Sequence, residues 1–342
     1  MKAQILSTIL ASLILVLGSC DNNPTGIRAT GVPFDIVVVA DPTTWNNTAG
    51  ILLNNELTAP IPGLLQDEAF MQVTYAPTYE FKGMLTYVRN ILIVDVDETL
   101  YTRVAVKTER NRWSVGQAVV RIQTPNESFL VNYLKDNEGV LVNYFAKTEM
   151  TRMADALQQS FNIPAMDRLI AQFSVKMNIP TDIRNFNKDE TDFFWTSNNA
   201  VRGRMDMVVY TFPYTDTQTF TLEYMLAMRD SILGANIPGS FPNSYMSTNA
   251  AFTSYTPITL YGKYCGVLRG LWEMEGDMMG GPFVSFARLD EVNNRVVVAE
   301  GFVYAPETNL KKNMMRRLEA SLYTLRLPGE FETALESPVI ND

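Results

Sequence analysis

The chain has 342 residues, 46% hydrophobic and 19% charged, with 18 Phe, 15 Tyr and 4 Trp. That is enough apolar surface to offset chain entropy, so disorder is excluded and one large α+β unit or two packed halves are expected. Lys and Arg number 28 against 37 Asp and Glu, a net charge of −9 without a basic run, which argues against nucleic acid as a partner because phosphate binding needs a cationic face. Histidine is absent, and with it go Ser-His and Cys-His nucleophile pairs, imidazole proton shuttles and His-containing zinc sites.

At the amino terminus Lys2 precedes a mostly apolar run of 13 residues, Ile5 to Leu17, closed by Gly18-Ser19-Cys20. A run of that length is too short to span about 30 Å of hydrocarbon and fits a secretory leader. Leu17-Gly18-Ser19-Cys20 resembles the bacterial lipobox, so residues 1–19 are expected to be a lipoprotein signal peptide and Cys20 the lipidated first residue of the mature chain. Resemblance to other lipoproteins implies several acyl chains on Cys20; at about 0.8 kcal/mol per buried methylene, more than one chain gives stable anchoring. Asp21-Asn22-Asn23-Pro24-Thr25-Gly26 is polar and rich in turn formers, and residues 20–31 read as a flexible tether. Cys265 is the only other cysteine, so no intramolecular disulfide is expected, and in its aromatic, strand-like run it reads as a small buried hydrophobe, the alternative being a reactive thiol.

Phe34–Ala40 is a β-branched run and hence a buried strand; apolar residues at helical spacing follow from Trp45 to Leu57. Further strands are expected over Phe70–Ala76, Asn90–Asp97, Arg103–Thr108 and Gly116–Gln123. Thr124-Pro125-Asn126-Glu127 has the form of a capping box opening a helix, helical periodicity continues to Leu157 with a break near Gly139, and a second helix runs from Pro164 to Phe173. The second half opens with a hairpin of Ser174–Ile179 and Thr191–Thr196, then a strand over Met205–Phe212 and an amphipathic helix over Phe220–Gly234. Strands over Thr259–Val267, Leu268–Glu275, Pro282–Leu289 and Arg295–Tyr304 lead to a last helix from Ala305 to about Leu325, and residues 328–342 read as a flexible acidic tail.

The order of elements repeats, and landmarks repeat with it. Ile61-Pro62-Gly63 returns as Ile237-Pro238-Gly239, Val94-Asp95-Val96-Asp97 as Trp272-Glu273-Met274-Glu275, and Thr124-Pro125 as Ala305-Pro306, at offsets of 176, 178 and 181. The expected fold is α+β, with related strand-helix-strands-helix halves over 32–172 and 173–327 packed as a pseudo-symmetric pair of mainly antiparallel sheets with helices.

The stretch from Arg269 to Thr324 resembles the C-terminal part of an uncharacterised Bacteroidetes lipoprotein family, the domain of unknown function 4837. Supporting segments are Val38-Val39-Ala40-Asp41 with Trp45 and Gly50, Pro62 to Glu68 before Phe70, Arg89-Asn90-Ile91, Arg229-Asp230, Ile237-Pro238-Gly239 and Ser244-Tyr245-Met246. The family carries Pro where Leu65 stands and a Lys-Arg pair where Lys311-Lys312 stand. The resemblance implies an envelope lipoprotein and brings no established activity.

Gly276 to Phe283 is the most unusual local pattern: paired glycines before a proline make a shaped turn between strands. Trp272, Gly280, Gly281, Pro282 and Phe283 are candidate ligand-binding residues at the rim of a cleft; the alternative is a hairpin whose glycines serve only geometry. Glu273 and Glu275 share one strand face, as do Asp95 and Asp97, and Glu300 lies on a later strand. Paired carboxylates can act as acid and base in glycoside hydrolysis or hold Ca²⁺, whereas a solvated sheet face produces the same alternation. No phosphate loop, nucleophile elbow or dinucleotide fingerprint occurs, and no cofactor or metal is expected. The leading reading is a protein anchored through Cys20 to the cell envelope, at the outer membrane, that binds or assembles with an envelope protein or glycan. A carboxylate-dependent hydrolase of envelope glycans using Glu273 and Glu275 is the alternative, and a purely structural envelope component a third.

Overall fold

The computed structural model describes residues 26–332 except Thr191 and Asn309. The expected signal peptide over 1–19, Cys20 and residues 333–342 lie outside the described residues.

The first half runs β1 (Asp35–Ala40), α1 (Pro42–Trp45), α2 (Thr48–Leu57), β2 (Gln72–Pro77), β3 (Asn90–Val96), β4 (Ala105–Arg110), β5 (Ala118–Thr124), α3 (Glu127–Asp136), α4 (Val140–Gln159) and α5 (Ile163–Phe173). Its sheet has the order β2-β1-β3-β5-β4. β2, β1, β3 and β5 are parallel to one another, and β4 is antiparallel to β5. Parallel strands are covered on both faces, which is why β1 and β3 read as unbroken apolar runs. Ile36, Val38 and Ala40 face α2, α3 and α4, while Val37 and Val39 face Phe81, Leu85 and Trp113.

The second half runs β6 (Asn185–Glu190), β7 (Phe193–Ser197), β8 (Arg204–Pro213), α6 (Leu222–Asn236), β9 (Tyr245–Leu260), β10 (Lys263–Glu275), β11 (Gly280–Asp290), β12 (Arg295–Tyr304) and α7 (Lys312–Leu322). Its sheet, β6-β7-β8-β12-β11-β10-β9, is antiparallel throughout. Met225 and Leu233 of α6 cover one face with Val296, Val298 and Phe302, and Leu318 and Leu322 of α7 cover the other with Val297, Ala299 and Val303. A Cβ on Gly301 would stand 2.6 Å from Leu318 Cβ, so that glycine sets how closely α7 approaches the sheet.

The fold class is α+β, two halves share one order of elements, and pairings across both sheets are mostly antiparallel. Pairing distinguishes the halves: β1 lies between parallel neighbours, whereas β8 is antiparallel to β7 and β12. The repeated landmarks also differ in role. Gly63, at φ +82°, packs on Arg269 and Gly270, while Gly239 donates its N–H to the Ser244 carbonyl at 3.0 Å.

Several local expectations are corrected. Thr124 ends β5, and Asn126 caps α3 instead, its Oδ1 accepting the Phe129 N–H at 3.2 Å. Ser174–Ile179 contributes one bridge, Lys176 to Arg326; the hairpin is β6 with β7. Thr259–Val267 spans a turn, because Tyr261 (φ 53°) and Gly262 (φ 71°) reverse the chain between β9 and β10. Ala305-Pro306 opens no helix; α7 begins at Lys312. Ala165, Leu169 and Phe173 of α5 enter the core of the second half. Within 328–342, Glu330 is buried and its carboxylate takes two hydrogen bonds from Arg288, each at 2.7 Å.

The halves are joined through α7. Its Ala320 enters the core of the first half while Met315, Leu318 and Leu322 enter that of the second. Buried Arg316 stacks its guanidinium 3.4 Å from the Phe34 ring and donates to the Phe70 carbonyl; burial pulls its pKa down to about 10. Glu319 pairs with Arg269 of β10.

Candidate functional site

The β10–β11 hairpin brings the sequence candidates together, and it places Trp272, Pro282 and Phe283 inside. Gly280, Gly281 and Pro282 stand opposite Glu273, Trp272 and Leu271. Trp272 and Phe283 are 2% and 1% exposed, so neither forms a wall of an open cleft. The Trp272 indole N–H donates to the Val303 carbonyl at 3.2 Å and its ring meets Phe302 edge-on. A Cβ on Gly281 would lie 2.0 Å from the Val303 oxygen, so that glycine is required for close approach of β11 to β12. Met278 is left fully exposed at the turn.

Strand alternation turns Trp272 and Met274 into the core and Glu273 and Glu275 outward. Glu273 accepts from Asn249 Nδ2 at 3.1 Å and Glu275 from the Ser247 hydroxyl at 3.3 Å, both across to β9. These two carboxylates form an outer ladder with amide and hydroxyl neighbours. Asp95 pairs with Arg121 at 2.5 Å. Asp97 closes a turn, accepting from the Thr99 hydroxyl and the Thr99 and Leu100 N–H groups, and these bonds hold its carboxyl below the usual range.

The most enclosed polar constellation is centred on Glu300, which sequence alternation left on a sheet face. Its carboxylate receives Nε and Nη2 of Arg229 at 2.9 and 2.7 Å, and both residues are fully buried. Arg229 Nη1 also donates to the Thr248 hydroxyl at 2.5 Å, and the guanidinium lies 3.8 Å from the Phe283 ring. Ser285, opposite Glu300, hydrogen-bonds to Glu300 and Tyr210. Burial, with the Glu300 charge behind it, pushes the Tyr210 hydroxyl pKa up. With charges matched and lone pairs engaged, the group fixes α6 against β9 and β12. Its sequence signal is an Arg on the apolar side of α6 and a Glu inside an all-apolar strand. A second buried carboxylate lies in the first half between two arginines: Glu149 Oε1 accepts from Asn90 at 2.6 Å and Arg152 at 2.8 Å, with Arg89 Nε 2.8 Å away.

What the second half leaves open is the edge of its sheet. β9 is a terminal strand of 16 residues, and Tyr245 to Leu260 contains no Asp, Glu, Lys or Arg. Its first residues are covered, since Met246 N–H donates to the Ile237 carbonyl at 3.1 Å. From Ala250 to Thr259 the strand is largely exposed, with Phe252 at 58%. The pairing shifts between Arg269 and Leu271 mark a bulge there, and Pro257 interrupts the donor row. Nearby, Phe220, Tyr264 and Leu289 line a cleft of about 330 Å³ with the Lys263–Glu291 ion pair at its rim. In the first half, Leu52, Glu56, Leu134 and Val142 line another of about 340 Å³, where Glu56 accepts the Leu141 N–H at 2.9 Å. Among the described residues no group of acids and cysteines is arranged to hold a metal ion, and no helix is long and apolar enough to cross a membrane.

Comparison with known proteins divides the chain between residues 158 and 162. Residues 162–324 match a family described as a domain of unknown function, DUF4837. Residues 29–158 match a second, also a domain of unknown function, DUF8532. The DUF4837 match thus begins at the α4–α5 junction, and the segments ahead of it lie within the second match. No curated protein matches the chain. Among solved structures it is similar to the Saccharomyces cerevisiae Ran-binding protein Mog1p, at 9% identity over 45% of this chain and 89% of that one, with a TM-score of 0.29. It is also similar to a protein of Bacteroides thetaiotaomicron VPI-5482, at 14% identity over 46% of each chain, with a TM-score of 0.20. Similarities this weak bear on neither fold nor function.

Proposed function

We propose that the chain is an envelope lipoprotein held at the outer membrane through Cys20, and that it binds or assembles with an extended segment of another envelope protein. The anchoring half of this reading rests on Leu17-Gly18-Ser19-Cys20 behind an apolar run. The binding half rests on one observation, the uncharged, exposed edge of β9. An edge strand presents unpaired N–H and C=O groups, and soluble proteins ordinarily guard such edges with charge. Here the guard is limited to a bulge and Pro257, so the edge suits strand addition, in which main-chain hydrogen bonds give affinity and exposed side chains such as Phe252 give register. Three buried acids of the second half, Glu300, Glu319 and Glu330, are held by Arg229, Arg269 and Arg288 and so serve the fold, while Glu273 and Glu275 lie on the outer face against Asn249 and Ser247.

The experiment is photocrosslinking from position 252 in intact cells, with and without Ser254→Lys and Thr256→Lys. The proposal expects a discrete adduct with a second protein that the paired lysines abolish while the fold persists. Absence of an adduct, or an adduct indifferent to the lysines, contradicts it. A crosslink between two copies of this chain would assign the edge to self-association instead.

A further inference from the structure

Three segments meet at the amino-terminal edge of the parallel sheet. Residues 27–33 precede β1, residues 81–88 precede β3, and residues 111–117 precede β5. Their backbones are tied together: Val115 N–H donates to the Ile27 carbonyl at 2.8 Å, Ala29 N–H to the Val115 carbonyl at 2.9 Å, and Thr30 N–H to the Tyr87 carbonyl at 2.8 Å. The Gln117 amide holds the Thr86 and Val88 carbonyls at 2.7 Å each. This fixed edge carries Ile27, Val32, Met84 and Val115 at exposures between 42% and 81%.

Charge is sorted in the same place. In a chain of net charge −9, these three segments contain Arg28, Lys82 and Arg112 and not one Asp or Glu. The three cations are exposed. Of the acids beside the edge, Asp35 accepts the Val32 N–H at 3.1 Å and Glu109 pairs with Arg112, while Glu80 is exposed just before the second segment. Arg112 stacks 4.7 Å above the Trp113 ring, which in turn meets Phe81 edge-on.

We propose that this edge is the face on which the folded body rests against the anionic lipid surface to which Cys20 ties it. The inference deepens the anchoring reading and rests on it. Residues 27–31, expected to belong to a flexible tether over 20–31, are instead bridged to Val115 and Val88. What identifies the occupant is the chain length that remains, since Ile27 is seven residues from Cys20 and at 3.3–3.6 Å per residue that span reaches at most about 25 Å. The edge that receives the tether is therefore held within reach of the headgroups. Exposed aliphatic side chains ringed by Arg and Lys are the composition that settles at an anionic interface, the apolar groups entering the acyl boundary and the cations meeting lipid phosphate.

The test uses the full acylated chain with Cys265→Ala and a polarity-sensitive fluorophore on Met84→Cys, reconstituted on vesicles of phosphatidylethanolamine and phosphatidylglycerol containing a lipid-borne quencher. A matched sample carries the label on Met278→Cys, in the β10–β11 turn. The proposal expects the label at 84 to shift to the blue and to be quenched several-fold more strongly than the label at 278. Equal quenching at the two positions overturns it, as does a blue shift at 84 that appears without vesicles and grows with protein concentration, which would put a second copy on this face. The Cys20→Ser chain is run alongside. Its release from vesicles upholds the anchor whatever the label reports, and its retention overturns the anchor while the label still decides the face.

Discussion

Glu68 and Lys311 are 243 residues apart in the chain, and Glu68 Oε1 accepts the Lys311 N–H at 2.7 Å. The same carboxylate takes the Lys312 N–H at 3.2 Å, so an acid of the first half caps the first turn of α7, a helix of the second. An anionic cap satisfies orphan donors and opposes the positive end of the helix dipole, together about 1–2 kcal/mol in a partly buried setting. Glu68→Ala is expected to lower the unfolding free energy by that amount, read as a lower denaturation midpoint at unchanged slope, and Glu68→Gln, which keeps an acceptor, by less. Guanidinium unfolding of the three proteins checks this.

The Arg229–Glu300 pair makes a different prediction, because neither partner reaches water. Removing one leaves a buried charge unpaired, and either Arg229→Met or Glu300→Met is expected to cost about 3–5 kcal/mol. The double substitution replaces the pair with apolar volume and is expected to recover most of that loss. A double-mutant cycle from unfolding curves measures the coupling, and additive losses would contradict a direct pair.

Much of this fold is legible in sequence, for reasons that also explain the rest. Ile36–Ala40 and Asn90–Val94 are buried on both faces, so their apolar runs announce strands; nothing in a run tells whether a neighbour lies parallel. β9 escapes notice because Ser247, Thr248, Asn249, Ala250 and Ala251 carry no apolar alternation, and a half-exposed edge requires none. Trp272 and Phe283 are readable as large apolar groups beside glycines. Whether such groups wall a cleft or fill a core depends on Arg229 and Val303, which come from elsewhere in the chain. Leu17-Gly18-Ser19-Cys20 is local in sequence, so its resemblance to a lipobox needs no fold to be seen.

Glu56 gives a pH prediction. Burial among α2, α3 and α4 raises its carboxyl above the ordinary 4.5, against the lowering effect of the Leu141 and Val142 N–H groups. A carboxyl with a raised folded pKa contributes stability that is full below its unfolded value and lost as pH rises through the folded value. Glu56→Gln removes that titration. The stability of wild type relative to the variant is therefore expected to fall as pH rises from below 4.5, and a constant difference would contradict the assignment.

Cys265 is buried in β10, and its thiol is pushed up to about 12 by burial. Thiolate is the reactive form, so the folded protein is expected to resist maleimide near pH 8 and to be modified at Cys265 on unfolding. Rapid labelling of the native chain would contradict the burial of this strand.

The anchor itself is tested most directly by mass spectrometry of the amino-terminal peptide from the membrane fraction. The account predicts a peptide that begins at Cys20 and carries the mass of several acyl chains, with both the peptide and the membrane association lost in Cys20→Ser. An unmodified peptide starting at another residue, recovered from the soluble fraction, would contradict it.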